Sequence, residues 1–186
     1  MKIFVTGSSG FIGFHLSKKL LEKGHTVHGF DSMNKYYDVK LKKARLKILK
    51  EYKKFFFTKN KLENKKILSQ SILKFKPKVI IHLAAQAGVR YSIENPKAYM
   101  DSNIIGTYNV IEVAKKINIK HLLISSSSSV YGANKKLPFR ENDKTETQLS
   151  IYAATKKSTE SLAHSYSNVW KLPITMLRFF TVYGPW

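Results

Sequence analysis

Thr6-Gly7-Ser8-Ser9-Gly10-Phe11-Ile12-Gly13 follows a short apolar run, Ile3–Val5, and leads into a segment whose Ile12, Leu16, Leu20 and Leu21 recur at helical spacing until Gly24. A strand that ends in a glycine-spaced turn and opens a helix is a ready site for an anion. Gly7, Gly10 and Gly13 permit the tight turn and a close backbone approach, while the helix start at Phe11 and Ile12 offers unpaired amides and a favourable dipole to a pyrophosphate. Asp31 closes the next apolar run, Val27–Phe30, 18 residues after Gly13. A carboxylate there can accept both hydroxyls of a ribose. Its charge would repel the 2′-phosphate of NADP, so NAD is the expected cofactor, with Lys35 the one nearby cation that argues otherwise.

Outward from this loop, apolar runs rich in Val, Ile and Phe alternate with longer segments of helical period. The runs Ile3–Val5, Val27–Phe30, Phe55–Phe57, Val79–His82, His121–Ser125 and Ile174–Arg178 read as strands. Helices are expected after Gly10 and over Asp38–Lys50, Glu63–Phe75, Pro96–Ile117 and Ile151–Val169. The alternation predicts an α/β, doubly wound parallel sheet of the Rossmann type in three α/β/α layers. The serine run Ser125–Ser129 reads as a strand end, where ligands sit in such sheets.

At 186 residues and 43% hydrophobic content the chain is sized for one domain, residues 1–186, with a real core. With no cysteine and no run of eighteen apolar residues, disulfide frameworks, thiolate zinc sites and membrane spans are excluded, and the chain reads as cytoplasmic. The net charge of +21 raises nucleic acid as a partner, but only four of the 33 basic residues are arginine. The densest stretch, Lys35–Lys78, holds 16 basic and three acidic residues, with lysines interleaved among Leu41, Leu46, Ile48 and Leu49 as on a solvated helix face. Nucleic acid is therefore not the expected partner.

The spacing of the glycines at 7, 10 and 13 resembles the extended short-chain dehydrogenase/reductase family. That resemblance implies a hydroxyl residue after the fifth strand and a Tyr-x-x-x-Lys on the following helix, and the chain has Ser127 and Tyr152-Ala153-Ala154-Thr155-Lys156. Tyr152 and Lys156, four apart, share a helix face, so the ammonium is expected to lower the phenol from its usual value near ~10 toward working pH. The resemblance implies further that Lys156 bonds the nicotinamide ribose and Ser127 the substrate oxygen. Ala84 and Ala85, after the fourth strand, are expected to lie against the cofactor, and Asn103 to support it. Lys61 stands where related enzymes place an aspartate for the adenine amine, which a lysine cannot replace as an acceptor.

Dehydratases resemble one another in placing Asp-Glu after the catalytic hydroxyl, whereas this chain has Ser128 and Ser129, which weakens a dehydratase reading. Epimerisation through a transient 4-keto sugar needs neither carboxylate. The strings His82–Ile93, Asn34–Asp38, Ser125–Gly132 and Arg178–Pro185 resemble those of UDP-glucuronate 4-epimerases. Hydroxyls of Ser128, Ser129 and Thr181 would accept a sugar carboxylate without repelling it, with Arg90 helping by charge. UDP-glucose/galactose 4-epimerase or a nucleotide-sugar dehydratase is the alternative, and an NAD-binding regulator or a basic nucleic-acid-binding protein the non-enzyme one. His15, His25, His28, His82, His121 and His164 show no ligand spacing, so no metal is expected. The resemblance also implies a further substrate-binding region beyond Trp186 and a homodimer paired through the helices near Pro96–Ile117 and Ile151–Val169.

Overall fold

β-Branched and aromatic residues favour extended backbone, and six runs of them form parallel strands in the computed structural model, which describes residues 1–186. The strands are β1 (Lys2–Thr6), β2 (Thr26–Asp31), β3 (Phe55–Lys59), β4 (Val79–His82), β5 (His121–Ser127) and β6 (Ile174–Phe179), in the order β3-β2-β1-β4-β5-β6. The expected doubly wound sheet is thus present. The strand order reverses between β1 and β4, which run in register with Thr6 beside His82. At such a reversal the connections leave in opposite directions and open a crevice at the carboxyl ends of the strands.

Helices α1 (Phe11–Glu22) and α2 (Val39–Lys50) cover one face, where Phe14, Leu21 and Leu49 pack on Val5, Val27 and Ile81. On the other face α3 (Lys65–Phe75), α6 (Gly106–Lys116) and α7 (Ile151–Trp170) build the larger core of 17 buried residues around Phe4, Ile80, Leu122 and Ile124. Side-chain caps start most of these helices: Asp38 accepts the Lys40 amide, Asn64 that of Ile67 and Ser150 that of Ala153. Gly10 caps α1 with no side chain, so the first-turn amides have no side-chain acceptor of their own.

Two differences from the sequence reading matter for the site. The segment expected as one helix over Pro96–Ile117 is α5 (Pro96–Tyr99), a wider π-helical turn (Met100–Ile105) and α6, preceded by a short helix α4 (Tyr91–Glu94). The π turn carries Asn103 inward, where it is 1% exposed and satisfied by three hydrogen bonds. On α2, Lys42 and Arg45 are buried beside Leu49 and not solvated. Positions 42, 45 and 49 share one helix stripe, and these two cations face inward on it.

Candidate functional site

The turn after β1 is shaped by contacts that exclude side chains. Gly7 has φ +71, and a Cβ there would stand 2.8 Å from the Ala84 amide nitrogen; a Cβ on Gly13 would stand 2.0 Å from the Gly7 carbonyl oxygen. Thr6, just before the turn, fixes this approach. Its Oγ1 accepts the amides of Leu83 and Ala84, each at 3.1 Å, and so donates its one proton to His82 Nδ1 at 2.7 Å. His82 then carries its proton on Nε2 and donates to Thr107 Oγ1 at 2.9 Å. Burial holds this imidazole neutral, its pKa pushed down to about 3.

Asp31 ends β2 facing the same turn and is 7% exposed. Its Oδ2 accepts the Ser9 amide at 3.0 Å and its Oδ1 the Met33 amide at 2.8 Å. Each oxygen keeps a further lone pair for a ligand hydroxyl. Together with Gly7, Gly10, Lys35, Lys61, Ala84 and Ala85 it lines a cavity of about 600 Å³. The sequence reading missed several residues here. Lys42 donates to the Asn34 carbonyl at 3.0 Å and to its side-chain oxygen at 2.6 Å, and Arg45 donates to the Tyr37 hydroxyl at 2.9 Å. Burial lowers the Lys42 pKa, opposed by the nearby Asp31 charge. Glu63, two positions after Lys61, brings a carboxylate to the same cavity wall.

A second cavity of about 320 Å³ adjoins the first, sharing Gly7, Gly10, Leu83, Ala85 and Ala87 with it. It gathers Phe11, Ile12 and Gly13 from the helix start with Ser127, Tyr152 and Lys156. β5 supplies the serine at its last residue, and α7 supplies the tyrosine and lysine one turn apart. Ser128, Ser129, Arg90 and Thr181 stand outside both cavities: the two serines are half-buried in a single 3-10 turn, whereas Arg90 and Thr181 are exposed.

The electrostatics of the trio differ from the sequence expectation. Lys156, 5% exposed, donates to the Ser125 carbonyl at 2.8 Å and to Ser125 Oγ at 3.3 Å. Burial lowers its pKa to about 8. Burial raises the Tyr152 phenol above its usual value; the Ser127 hydroxyl opposes that rise, and the Tyr36 phenol adds to it. In this geometry the Ser127 hydroxyl favours the phenolate against the effect of burial. Behind the trio, Asn103 accepts the Gln86 amide at 2.8 Å and donates to the Gln86 carbonyl and to Thr155 Oγ1, each at 3.0 Å. It therefore joins the loop after β4 to the residue preceding Lys156.

The histidines are dispersed: His25 meets the Met1 amine and His28 meets Thr58. No group of three His, Cys, Asp or Glu side chains converges to hold a metal ion, and no helix is long and apolar enough to cross a membrane.

The protein-family model described as GDP-mannose 4,6 dehydratase matches residues 4–186. The chain is 53% identical over 186 residues to the probable UDP-glucuronate 4-epimerase of Rhizobium meliloti (strain 1021), covering all of this chain and 54% of the relative. It is 56% identical to protein CapI of Staphylococcus aureus, again over all of this chain and 55% of the relative. It therefore spans about half the length of the curated relatives it matches. Among solved structures, UDP-glucuronic acid 4-epimerase from Bacillus cereus in complex with UDP-glucuronic acid and NAD superposes with a TM-score of 0.92 at 37% identity, over 100% of this chain and 58% of that one. A UDP-glucose 4-epimerase from Thermotoga maritima with UDP-glucose gives 0.88 at 32% identity, over 100% of this chain and 57% of that one.

Proposed function

The chain belongs to the GDP-mannose 4,6 dehydratase family, and from that premise we propose that the whole protein is an NAD-dependent nucleotide-sugar epimerase that inverts C4 of UDP-glucuronate. The observation that carries this reading is the single crevice in which Ser127, Tyr152 and Lys156 adjoin the glycine turn. The relatives named above support the choice of sugar, and Ser128 and Ser129 support epimerisation over dehydration because neither can act as the acid or base of an elimination.

The residues present fit NAD. The backbone of Gly7, Gly10 and Gly13 leaves no side chain between the α1 amides and a pyrophosphate. Asp31 would hold the adenosine ribose, and Glu63, which lines the same cavity, would accept from the adenine amine in place of Lys61. NAD held by these residues would supply the acceptor, and later the donor, of the hydride at C4 of the sugar.

The chain's own residues handle the proton. Tyr152, as phenolate, takes the proton from the sugar 4-hydroxyl, and as phenol gives it back to the 4-keto oxygen after the sugar turns over. Ser127 bonds the same oxygen and favours the phenolate by its contact with Tyr152. Lys156 contributes its charge and a bond to the nicotinamide ribose. In this reading residues 1–186 are the cofactor-binding domain, a substrate-binding region accounts for the remaining length of the relatives, and the protein works in the cytoplasm. Exposed Ile105, Tyr108, Ile151 and Trp170, on or beside α6 and on α7, support pairing of these helices in a homodimer.

The complete protein, incubated with UDP-glucuronate, is expected to give an equilibrium mixture with its 4-epimer, read by proton NMR of the anomeric signals. Preference for UDP-glucose would move the assignment to the galactose-type epimerases. A 4-keto-6-deoxy product from any nucleotide sugar would overturn epimerisation altogether.

A further inference from the structure

α7 carries a buried carboxylate that the proton transfer described above does not use. Glu160 lies one turn beyond Lys156 and two beyond Tyr152, on the face turned to the sheet, and is 8% exposed. Its Oε1 accepts the Ser126 hydroxyl at 2.6 Å and Arg178 Nε at 2.9 Å, and its Oε2 accepts Arg178 Nη2 at 3.0 Å. Lys157 Nζ stands 3.8 Å from Oε2. The hydrogen bonds of Arg178 and Ser126 outweigh the cost of burial and hold the Glu160 carboxyl below its usual range.

The three partners come from three elements that meet at one level. Ser126 and Arg178 are direct neighbours across β5 and β6. Side chains alternate along a strand, so Ser126 leaves the sheet on the same side as Leu122 and Ile124, the side covered by α7. One carboxylate therefore grips both strands at the residue before Ser127. Arg178 extends the grip through Nη1, which donates to the Glu141 carbonyl at 3.0 Å in the segment leading to α7. Lys156 meanwhile holds Ser125. The two residues immediately before Ser127 are thus both tied to the helix that bears Tyr152.

Stability alone does not call for such an arrangement, because apolar groups of similar volume often replace a buried ion pair at no loss. Orientation does call for it. A bidentate arginine fork and a short hydroxyl bond on one carboxylate fix directions as well as distances. From this geometry we infer that Glu160 is a positioning residue for the proton-transfer step: through Ser126 it sets the height of the Ser127 hydroxyl against the Tyr152 phenol. The role rests on the assignment of Ser127 and Tyr152 proposed above.

The test uses the complete protein and two substitutions. Ser126→Ala removes one donor and leaves the Glu160–Arg178 pair whole; Glu160→Gln keeps one acceptor oxygen but replaces the other with an amide donor facing the arginine fork, which breaks the bidentate pair and removes the charge. Ser126→Ala is expected to lower kcat for UDP-glucuronate about tenfold or more, with KM and the amount of bound NAD unchanged, because a misplacement of about 1 Å can cost a hundredfold. Glu160→Gln is expected to lose more. Wild-type kcat in Ser126→Ala overturns the inference, even if Glu160→Gln fails to fold. So does a loss of kcat matched by loss of NAD and a rise in KM, which would mark the cluster as scaffold only. A wild-type protein that turns over no UDP-sugar would instead remove the proposed function, and the positioning role with it.

Discussion

The Ser9 amide donates to Asp31 Oδ2 at 3.0 Å, joining the turn after β1 to the last residue of β2. The carboxylate proposed to take the ribose hydroxyls is therefore also a strut of the glycine turn. Its other oxygen holds the Met33 amide, at a residue whose φ of +55 needs such support. The turn after β1 and the segment after β2 share one side chain.

Asp31→Asn tests that double duty. An asparagine keeps the shape but turns one acceptor into a donor facing either the Ser9 or the Met33 amide, and loses one ribose acceptor as well. NAD affinity is expected to fall on the order of tenfold to a hundredfold, or about 1.4–3 kcal/mol. Loss of the negative charge also removes a repulsion toward a 2′-phosphate, so the ratio of NADP to NAD dissociation constants should narrow. Titration calorimetry with both dinucleotides measures this; an unchanged NAD affinity would mean the carboxylate does not hold the ribose.

Gly13→Ala is expected to be severe, because the added methyl meets the backbone carbonyl of Gly7 at 2.0 Å and backbone cannot rotate away as a side chain can. Overpacking of this kind costs about 1–3 kcal/mol or more. Urea unfolding should show a lower midpoint, and NAD binding should be lost even where the variant stays folded. A variant with wild-type NAD affinity would show that the turn relaxes without harm.

The pattern that carried the fold was local, and so it could be read from one chain. Short Val, Ile and Phe runs, the turn at Gly7–Gly13 and the Tyr152–Lys156 spacing each declare themselves within a few residues. What escaped reading was set by tertiary partners. Lys42 and Arg45 look like solvated lysine-rich surface until the loop carrying Asn34 and Tyr37 folds back onto them. Nothing in the Pro96–Ile117 pattern marks the π turn, whose reason is the Gln86 backbone that Asn103 must reach. Lys156 and Tyr152 share a helix face, which spacing shows, but the hold of strand β5 on the ammonium through Ser125 is a tertiary contact that spacing does not show.

Tyr152→Phe removes the phenol proposed as proton acceptor and little else. The tyrosine ring packs edge-on against Tyr99 at 6.0 Å, a contact that phenylalanine preserves. In the complete protein, kcat for UDP-glucuronate should fall on the order of a thousandfold, while the NAD dissociation constant changes less than about threefold. Full activity in this variant, measured by coupled assay or NMR, would refute the proton-transfer role.

Lys156 gives a pH dependence whose sign follows from its burial. Its folded pKa of about 8 lies below the 10.5 of an unperturbed lysine. Below pH 8 the side chain is charged in both states and the cost of burying the charge is fully present. Between 8 and 10.5 the folded form is neutral while the unfolded chain still binds the proton, so stability attributable to this residue rises with pH. Comparison with Lys156→Met cancels the many exposed lysines. The unfolding free energy of the wild type minus that of Lys156→Met should therefore grow by roughly 3 kcal/mol across this window. Urea unfolding at half-unit steps of pH, without added cofactor, measures the difference. A flat difference would place the ammonium in contact with water, and a falling one would mean that it is held as a cation by partners stronger than Ser125.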